Sequence, residues 1–136
     1  MDPYVRRWKS FGSNFCVQKF TTNEISVHLI FCADKPLQQS LQWGVLNFKL
    51  SVFDFRISNL AFMGPYITSL INEVAGDDGV RGVFLMHNSQ RIEHLAKVSE
   101  GMLDATKSKH FIIVDENMFY EIIALAEPEI TLLESN

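Results

Sequence analysis

The chain has 136 residues, of which 47% are hydrophobic, and it carries a formal net charge of −4 at neutral pH. This length provides one hydrophobic core, and the negative charge argues against a nucleic-acid-binding protein that neutralises phosphates. No apolar run approaches the roughly 20 residues of a membrane span, and the first residues lack the apolar core of a signal peptide. We therefore expect a cytoplasmic protein without nucleic-acid partners or direct membrane insertion, built as an N-terminal arm, residues 1–13, and one domain, residues 14–136.

Two strands open the domain, at residues 14–20 and 24–32. In the second strand, apolar side chains alternate strictly with their neighbours, which is typical of a strand with one buried face. The alternating residues are Ile25, Val27, Leu29 and Phe31. The sequence therefore predicts an N-terminal hairpin.

The two cysteines lie in this hairpin. Its expected pairing brings Cys16 nearer to His28 than to Cys32, so we expect two free thiols rather than a disulfide. The histidines are scattered, and the chain contains neither a C-x-x-C nor an H-E-x-x-H motif. These spacings indicate no metal site, and we expect no cofactor.

A short helix and a central strand follow. Asp34, Lys35 and Pro36 resemble a capped helix start with proline in the first turn, which predicts a helix over residues 33–43. Residues 47–57 are dense in Phe, Leu and Val. Such a run is typical of a strand that is covered on both faces.

A tight turn joins this strand to an amphipathic helix. Ser58 and Asn59 form the turn, and Gly64 and Pro65 begin the helix, because proline is tolerated where the first amides need no partner. The helix is expected to bury one face at helical spacing. That face consists of Tyr66, Ile67, Leu70, Ile71 and Val74.

The second half continues with a strand over residues 80–86, a helix capped by Asn88 or Ser89, and a strand over residues 110–114. Residues 118–126 fit either a returning hairpin strand or a last helix. We favour the helix because its apolar residues follow a period of 3.6 and Ala, Leu and Glu are good helix formers. These apolar residues are Phe119, Ile122, Ile123 and Ala126.

The order of these elements sets the predicted fold class. Strands separated by helices imply parallel crossovers, with the opening hairpin as a partly antiparallel edge. The sequence therefore predicts an α/β fold with a mixed, mainly parallel β-sheet, an N-terminal hairpin and about four helices.

Three segments resemble the STAS domain family, named for sulphate transporters and anti-sigma-factor antagonists. RISNLAFMGPYI, at residues 56–67, is similar to the family's strand, turn and helix start. GVFLMHNSQRIEHLAKVSEGM and HFIIVDENMFYEIIALAEP are similar to the two strand and helix units that follow. The resemblance covers most of the chain and implies a single STAS-like domain.

The chain departs from this family at the regulatory serine. In regulatory members, a partner kinase phosphorylates a serine at the start of the second helix, where free amides and the helix dipole meet the added charge. Here Gly64 stands in place of the family's aspartate, and Pro65, which cannot be phosphorylated, stands in place of the serine. The usual phospho-switch would be absent, with Tyr66, Thr68 or Ser69 as the hydroxyl groups that could substitute.

The resemblance implies a non-enzymatic protein-interaction module of the anti-sigma-factor antagonist type, which binds a regulatory serine kinase or anti-sigma factor. A cytoplasmic accessory subunit of an ABC lipid or anion transporter, in contact with its ATPase, is the alternative, and a homodimer is left open. The expected docking surface combines the tight turn, the helix start and the second helix cap. Its residues are Ser58, Asn59, Gly64, Pro65, Tyr66, Thr68, Ser69, Asn88, Ser89 and Arg91.

A small enzyme or ligand-binding domain has less support from the sequence. The GDDGVRG segment follows a helix rather than a strand, so it is expected to form a turn rather than a phosphate-binding loop. Serine, histidine and acidic residues form no recognisable nucleophile motif. We therefore expect no catalytic residues.

Overall fold

The computed structural model describes residues 2–23, 25–35 and 40–133. In these ranges the chain forms nine strands and two α-helices. The strands are β1 (Tyr4–Lys9), β2 (Ser13–Asn23), β3 (Ser26–Lys35), β4 (Ser40–Phe48), β5 (Val52–Asn59), β6 (Gly82–His87), β7 (Lys109–Val114), β8 (Met118–Ala124) and β9 (Glu129–Leu133). The helices are α1 (Pro65–Val74) and α2 (Gln90–Val98), with short 3-10 turns at Leu60–Phe62 and Gly76–Asp78.

The strands form two sheets. The five-stranded sheet has the order β1-β6-β7-β8-β5, and the four-stranded sheet has the order β2-β3-β4-β9. Every strand pairing in the described ranges is antiparallel. The predicted α/β fold, with a mainly parallel STAS-like sheet and about four helices, is therefore wrong. Strands such as β2, β3 and β4 return directly beside one another instead of crossing over through helices.

The two sheets pack face to face, and the helices cover the outer face of the five-stranded sheet. The core between the sheets is rich in phenylalanine and includes Phe15, Phe31, Phe48 and Phe111. On the outer face of the five-stranded sheet, α1 packs Ile71 against the core that contains Phe84 and Ile112. Helix α2 packs Ile92 against Ile123 on the same face. The five-stranded sheet is thus the middle layer of three.

Residues 118–124 form a hairpin strand, β8, so the helix favoured from the sequence over residues 118–126 is wrong. Strand β8 pairs with β7 on one side and β5 on the other. Its residues from Phe119 to Ala124 are all buried, because both faces of this sheet are covered. When nearly every residue of a strand is apolar, residues three and four positions apart are apolar as well. This run therefore matched the spacing of a helix although it forms a strand.

The helix predicted over residues 33–43 and the central strand predicted over residues 47–57 are also wrong. Strand β3 continues to Lys35 and β4 begins at Ser40, whereas residues 36–39 lie outside the described ranges. The apolar run divides between two sheets, with a left-handed residue, Leu50 (φ 54°), at the bend. Strand β5 then lies at an edge of its sheet rather than at the centre.

The N-terminal hairpin is confirmed, but its expected register is wrong. Strands β2 and β3 pair antiparallel, with irregularities between Ser13 and Cys16 and between Val17 and Lys19. Cys16 lies opposite Cys32. Bulges of this kind add residues to one strand and shift every later pair, and no local sequence signal announces them.

The starts of both helices agree with the sequence. Helix α1 begins at Pro65 after Gly64, and Ser89 caps α2. Tyr66, predicted on the buried face of α1, is instead 55% exposed. Part of the predicted arm, residues 4–9, forms the edge strand β1, which pairs with β6.

Candidate active site

A cavity of about 350 Å³ opens on the outer face of the five-stranded sheet, between the starts of α1 and α2. Apolar side chains line one part, and cationic and other polar side chains line the rest. The lining residues are Pro3, Arg56, Tyr66, Ile67, Met86, Ser89, Gln90, Arg91, His94, His110 and Glu121. A concave, partly apolar site with a few convergent polar groups is the usual form of a ligand or active site.

Strands β7 and β8 place His110 and Glu121 on the floor of this cavity. Successive side chains of a strand point to opposite faces, and the chain neighbours Phe111 and Tyr120 point into the core between the sheets. His110 and Glu121 therefore point towards the helices. The register pairs His110 with Ile123, two residues beyond Glu121, so the two side chains are diagonal neighbours. Both are buried, at 2% and 3% exposure.

The turn from β6 into α2 brings Ser89 to His110. Asn88 adopts the left-handed conformation (φ 56°), which asparagine tolerates better than most residues, and the chain turns there into the helix. The Ser89 Oγ accepts a hydrogen bond from the Ile92 backbone N–H at 3.2 Å, as an N-cap does. The same oxygen lies 2.7 Å from Nδ1 of His110.

A continuous hydrogen-bonded chain runs from Ser89 through His110 and Glu121 to Arg56. His110 Nε2 lies 3.0 Å from Glu121 Oε1. Arg56, the register partner of Glu121 on β5, donates from Nη2 to Oε2 at 2.7 Å. The first three residues are buried, whereas the Arg56 side chain is 53% exposed at the outer end of the chain.

These contacts set the protonation state of Glu121. Burial alone would raise the pKa of Glu121, but hydrogen bonding and charge from His110 and Arg56 outweigh it and hold this pKa below its ordinary value. Glu121 is therefore an ionised acceptor. In the tautomer of His110 that carries its hydrogen on Nε2, this nitrogen donates to Glu121 and Nδ1 accepts the hydroxyl proton of Ser89.

The first turn of α2 adds backbone donors beside Ser89. The first amides of an α-helix have no acceptor within the helix. The N-cap oxygen takes the Ile92 amide, but the amides of Gln90 and Arg91 precede it in a turn that lines the cavity. Such paired amides, at the positive end of a helix dipole, stabilise a developing oxyanion in acyl transfer.

Three of the residues predicted to bind a partner line this cavity: Tyr66, Ser89 and Arg91. Arg91 forms an ion pair with Asp54 of β5. The starts of α1 and α2 are therefore neighbours, as in the predicted docking surface. They are separated by a cavity with a polar floor.

The other predicted residues at the start of α1 do not line the cavity. Gly64 (φ 84°) and Pro65 form the helix start. Thr68 donates from Oγ1 to the Gly64 carbonyl oxygen at 2.7 Å, and Ser69 is exposed. These four residues are accounted for by the geometry of the helix start.

The remaining predicted residues do not line the cavity either. The Asn59 Oδ1 accepts from the Ala61 N–H at 2.9 Å and caps the 3-10 turn. Asn88 donates from Nδ2 to the Asp2 carbonyl oxygen at 3.2 Å. Ser58 is half-buried on β5.

Sequence reasoning missed Arg56, His110 and Glu121, which form most of the polar chain. One signal was present. His110 opens the apolar run HFIIV, and Glu121 interrupts the apolar run FYEIIALA. A charged residue inside a fully apolar run is rarely buried unless it is paired. No local pattern, however, indicated which residues would pair with it.

A second cavity, of about 420 Å³, lies on the other side of the α2 start. Its lining includes His87, whose pKa is lowered by burial and by the charges of Arg6 and Lys109. Ser89 lines both cavities, whereas His110, Glu121 and Arg56 line the first one. The ranges that the structure describes contain no group of three or more His, Cys, Asp or Glu side chains that could hold a metal ion.

Comparisons with known proteins give no further assignment. No family model matches this chain, and no curated protein and no solved structure matches it either. Within the described residues, neither helix has the length and apolar character that crossing a membrane requires.

Proposed function

We propose that the protein is a small hydrolase that cleaves carboxylic esters by acyl transfer to Ser89. The observation that supports this proposal is the buried chain from Ser89 Oγ through His110 to Glu121, with contacts of 2.7 and 3.0 Å, on the floor of a cavity. Nucleophile, base and orienting acid within hydrogen-bond reach of one another are the signature of nucleophilic catalysis. The cytoplasmic location predicted from the sequence is part of this proposal.

Each residue has a distinct role in this reaction. The Ser89 Oγ attacks the ester carbonyl carbon, and its proton passes to Nδ1 of His110. The amides of Gln90 and Arg91 stabilise the oxyanion that forms. His110 then gives the proton to the leaving alcohol, and the carbon–oxygen bond of the ester breaks. A water molecule, activated by the same histidine, hydrolyses the acyl-serine and restores the enzyme.

Glu121 and Arg56 act through the histidine. An ionised Glu121 holds the His110 tautomer whose Nδ1 faces Ser89 and stabilises the imidazolium that forms during attack. Arg56 keeps this carboxylate ionised, because its guanidinium lies 2.7 Å from the oxygen that His110 does not use. We therefore assign both as positioning residues.

A fluorophosphonate probe, which phosphonylates activated serines with loss of fluoride, tests this proposal. We expect labelling of Ser89, identified by mass spectrometry of the digested protein, and its loss in Ser89→Asn. Asparagine is as good an N-cap as serine, so this variant keeps α2 capped without a nucleophile. Replacing His110 by Gln should slow labelling by roughly 10²–10⁴-fold, the usual contribution of a general base.

The matched control is Ser69→Ala, which removes an exposed hydroxyl of α1 outside the cavity lining and should leave labelling unchanged. Failure of the folded wild-type protein to react, or labelling at another serine, would reject Ser89 as a nucleophile. Hydrolysis of p-nitrophenyl acetate by the same variants extends the test to turnover.

A protein-docking module is the second candidate. What supports it is two exposed aromatic side chains near the start of α1: Phe62, in the preceding 3-10 turn, is 79% exposed, and Tyr66, which lines the cavity, is 55% exposed. Exposed aromatic residues are enriched among interface hot spots. The partners expected from the sequence, an anti-sigma factor or serine kinase or a transporter ATPase, depend on the STAS resemblance, whose fold the structure contradicts.

The double variant Phe62→Asp and Tyr66→Asp separates the two candidates. Docking predicts loss of co-purifying proteins with the free energy of unfolding changed by less than about 1 kcal/mol, because both side chains are exposed. Hydrolysis predicts that Ser89 labelling persists in the single variant Phe62→Asp, since Phe62 does not line the cavity, whereas Tyr66 does.

A further inference from the structure

The register of the N-terminal hairpin places the two cysteines directly opposite each other, Cys16 on β2 and Cys32 on β3. Opposite residues of an antiparallel pair have Cα atoms about 4.5–5.5 Å apart, which is within the range of about 4.4–6.8 Å that a disulfide spans. Both cysteines are free thiols and half-buried. The register therefore places the two Cα atoms within the separation that a disulfide spans.

Both side chains lie on the outer face of the four-stranded sheet. Their chain neighbours Phe15 and Phe31 are fully buried between the sheets, so by strand alternation the cysteines point the other way. The helices cover the opposite side of the molecule, on the five-stranded sheet. Small oxidants can therefore reach the pair without opening either core.

Two local features allow the backbone and side chains around the two cysteines to shift slightly. The ladder is irregular on each side of the pair Cys16–Val17, and bulges allow a strand to bend locally. The nearest polar contact is a donation from Gln18 Nε2 to the Cys32 Sγ at 3.2 Å, on an exposed side chain that can move away. Neither feature holds the two sulfur atoms apart.

We propose that Cys16 and Cys32 form a reversible intramolecular disulfide when the protein meets a disulfide oxidant such as oxidised glutathione. The thiolate of one cysteine attacks a sulfur of oxidised glutathione and releases one glutathione thiolate. The thiolate of the second cysteine then attacks the protein sulfur of this mixed disulfide and releases the other. The two protein thiols lose two electrons and two protons, and the oxidant becomes two molecules of glutathione.

The experiment exposes the folded protein to oxidised glutathione, followed by alkylation with iodoacetamide and intact mass spectrometry. We expect a monomer that has lost two hydrogen atoms, carries no glutathione and takes up no alkyl group. Dithiothreitol should restore both alkylation sites. The variants Cys16→Ser and Cys32→Ser should instead keep one glutathione each, because the second attack has no thiol.

A displaced thiol provides the matched control. The double variant Cys32→Ser and His28→Cys keeps two cysteines on the same face but moves one by four positions, roughly 13 Å along the strand. This variant should retain glutathione on its cysteines rather than form an internal bridge. If it bridges, the pairing of β2 with β3 differs from the one described. If the wild-type protein keeps glutathione or forms only disulfide-linked dimers, the proposal is wrong.

Discussion

The two faces of strands β7 and β8 show two different uses of one sheet. The inner face packs Phe111 and Ile122 into the core between the sheets. The outer face of the same strands buries His110 and Glu121, which satisfy each other and reach Ser89 and Arg56. Burying an ion pair costs desolvation that its contacts barely offset, whereas burying phenylalanine is directly favourable. The inner face is thus apolar throughout, whereas the outer face combines apolar packing under the helices with a polar chain, to which the proposed function assigns the chemistry.

The largest effect on stability is expected on the inner face. Replacing Phe111 by Ala should lower the free energy of unfolding by about 3–5 kcal/mol, because it removes a fully buried ring and leaves a cavity. Urea unfolding measures this change, with Lys107→Ala, an exposed substitution, as the control. The folded fraction should still react with the fluorophosphonate, since Phe111 does not line the cavity. A loss below about 1 kcal/mol would contradict its place in the core.

A smaller effect is expected on the outer face. Replacing Glu121 by Gln keeps the shape of the side chain but removes the charge that His110 and Arg56 share. The free energy of unfolding should fall by about 1–3 kcal/mol, because a buried imidazole loses a charged acceptor while the exposed Arg56 turns to water. Urea unfolding and probe labelling together test the comparison. The rate at which the folded protein is labelled should fall strongly, although most of the protein remains folded. If the folded variant is labelled as fast as the wild type, a catalytic use of this face is contradicted.

The parts of the fold that the sequence predicted are those with local causes. Val27, Leu29 and Phe31 alternate because one face of β3 is buried, and each is fully buried. The sequence predicted a helix cap at Asn88 or Ser89, and Ser89 is the cap, because an N-cap depends only on the next three residues. Helix α1 starts where the Gly64–Pro65 pair predicted. Each of these features can be recognised within one turn or one strand.

The parts that the sequence missed depend on distant residues. Glu121 favours a helix by propensity, but it is a strand residue because Arg56 and His110 compensate its burial from two neighbouring strands. Ser89 meets His110 across 21 positions of sequence, and His110 meets Glu121 across 11. Only the antiparallel register of β7 and β8 creates these distances, and the predicted parallel fold lacked it. The candidate site could therefore not be assembled before the topology was known.

The contribution of Glu121, on the outer face, to the free energy of unfolding should depend on pH. The pKa of Glu121 is lowered in the folded protein, so the folded state favours the ionised carboxylate. This contribution is fully present above the unfolded pKa, about 4.3, and is lost as the pH falls through the lower folded pKa. The stability difference between the wild type and Glu121→Gln should thus stay constant from neutral pH down to about pH 5 and shrink below it. A difference that grows on acidification would mean that the pKa is raised instead.

The smallest change in the free energy of unfolding is expected when the whole polar chain is removed. This variant also distinguishes most sharply between the two faces of the sheet. A triple variant, Arg56→Met, His110→Leu and Glu121→Leu, leaves no buried charge unpaired. Replacing a buried ion pair by apolar residues of similar volume is often neutral or stabilising, so unfolding should change by less than about 1 kcal/mol or become more costly. Labelling of Ser89 should nevertheless slow at least as much as in His110→Gln, by roughly 10²–10⁴-fold. His110→Leu alone is the control, since it leaves Glu121 with Arg56 only and should be less stable than the triple variant. If the triple variant is instead as unstable as the single losses combined, the outer face stabilises the fold in the same way as the inner face, and the polar chain needs no catalytic explanation.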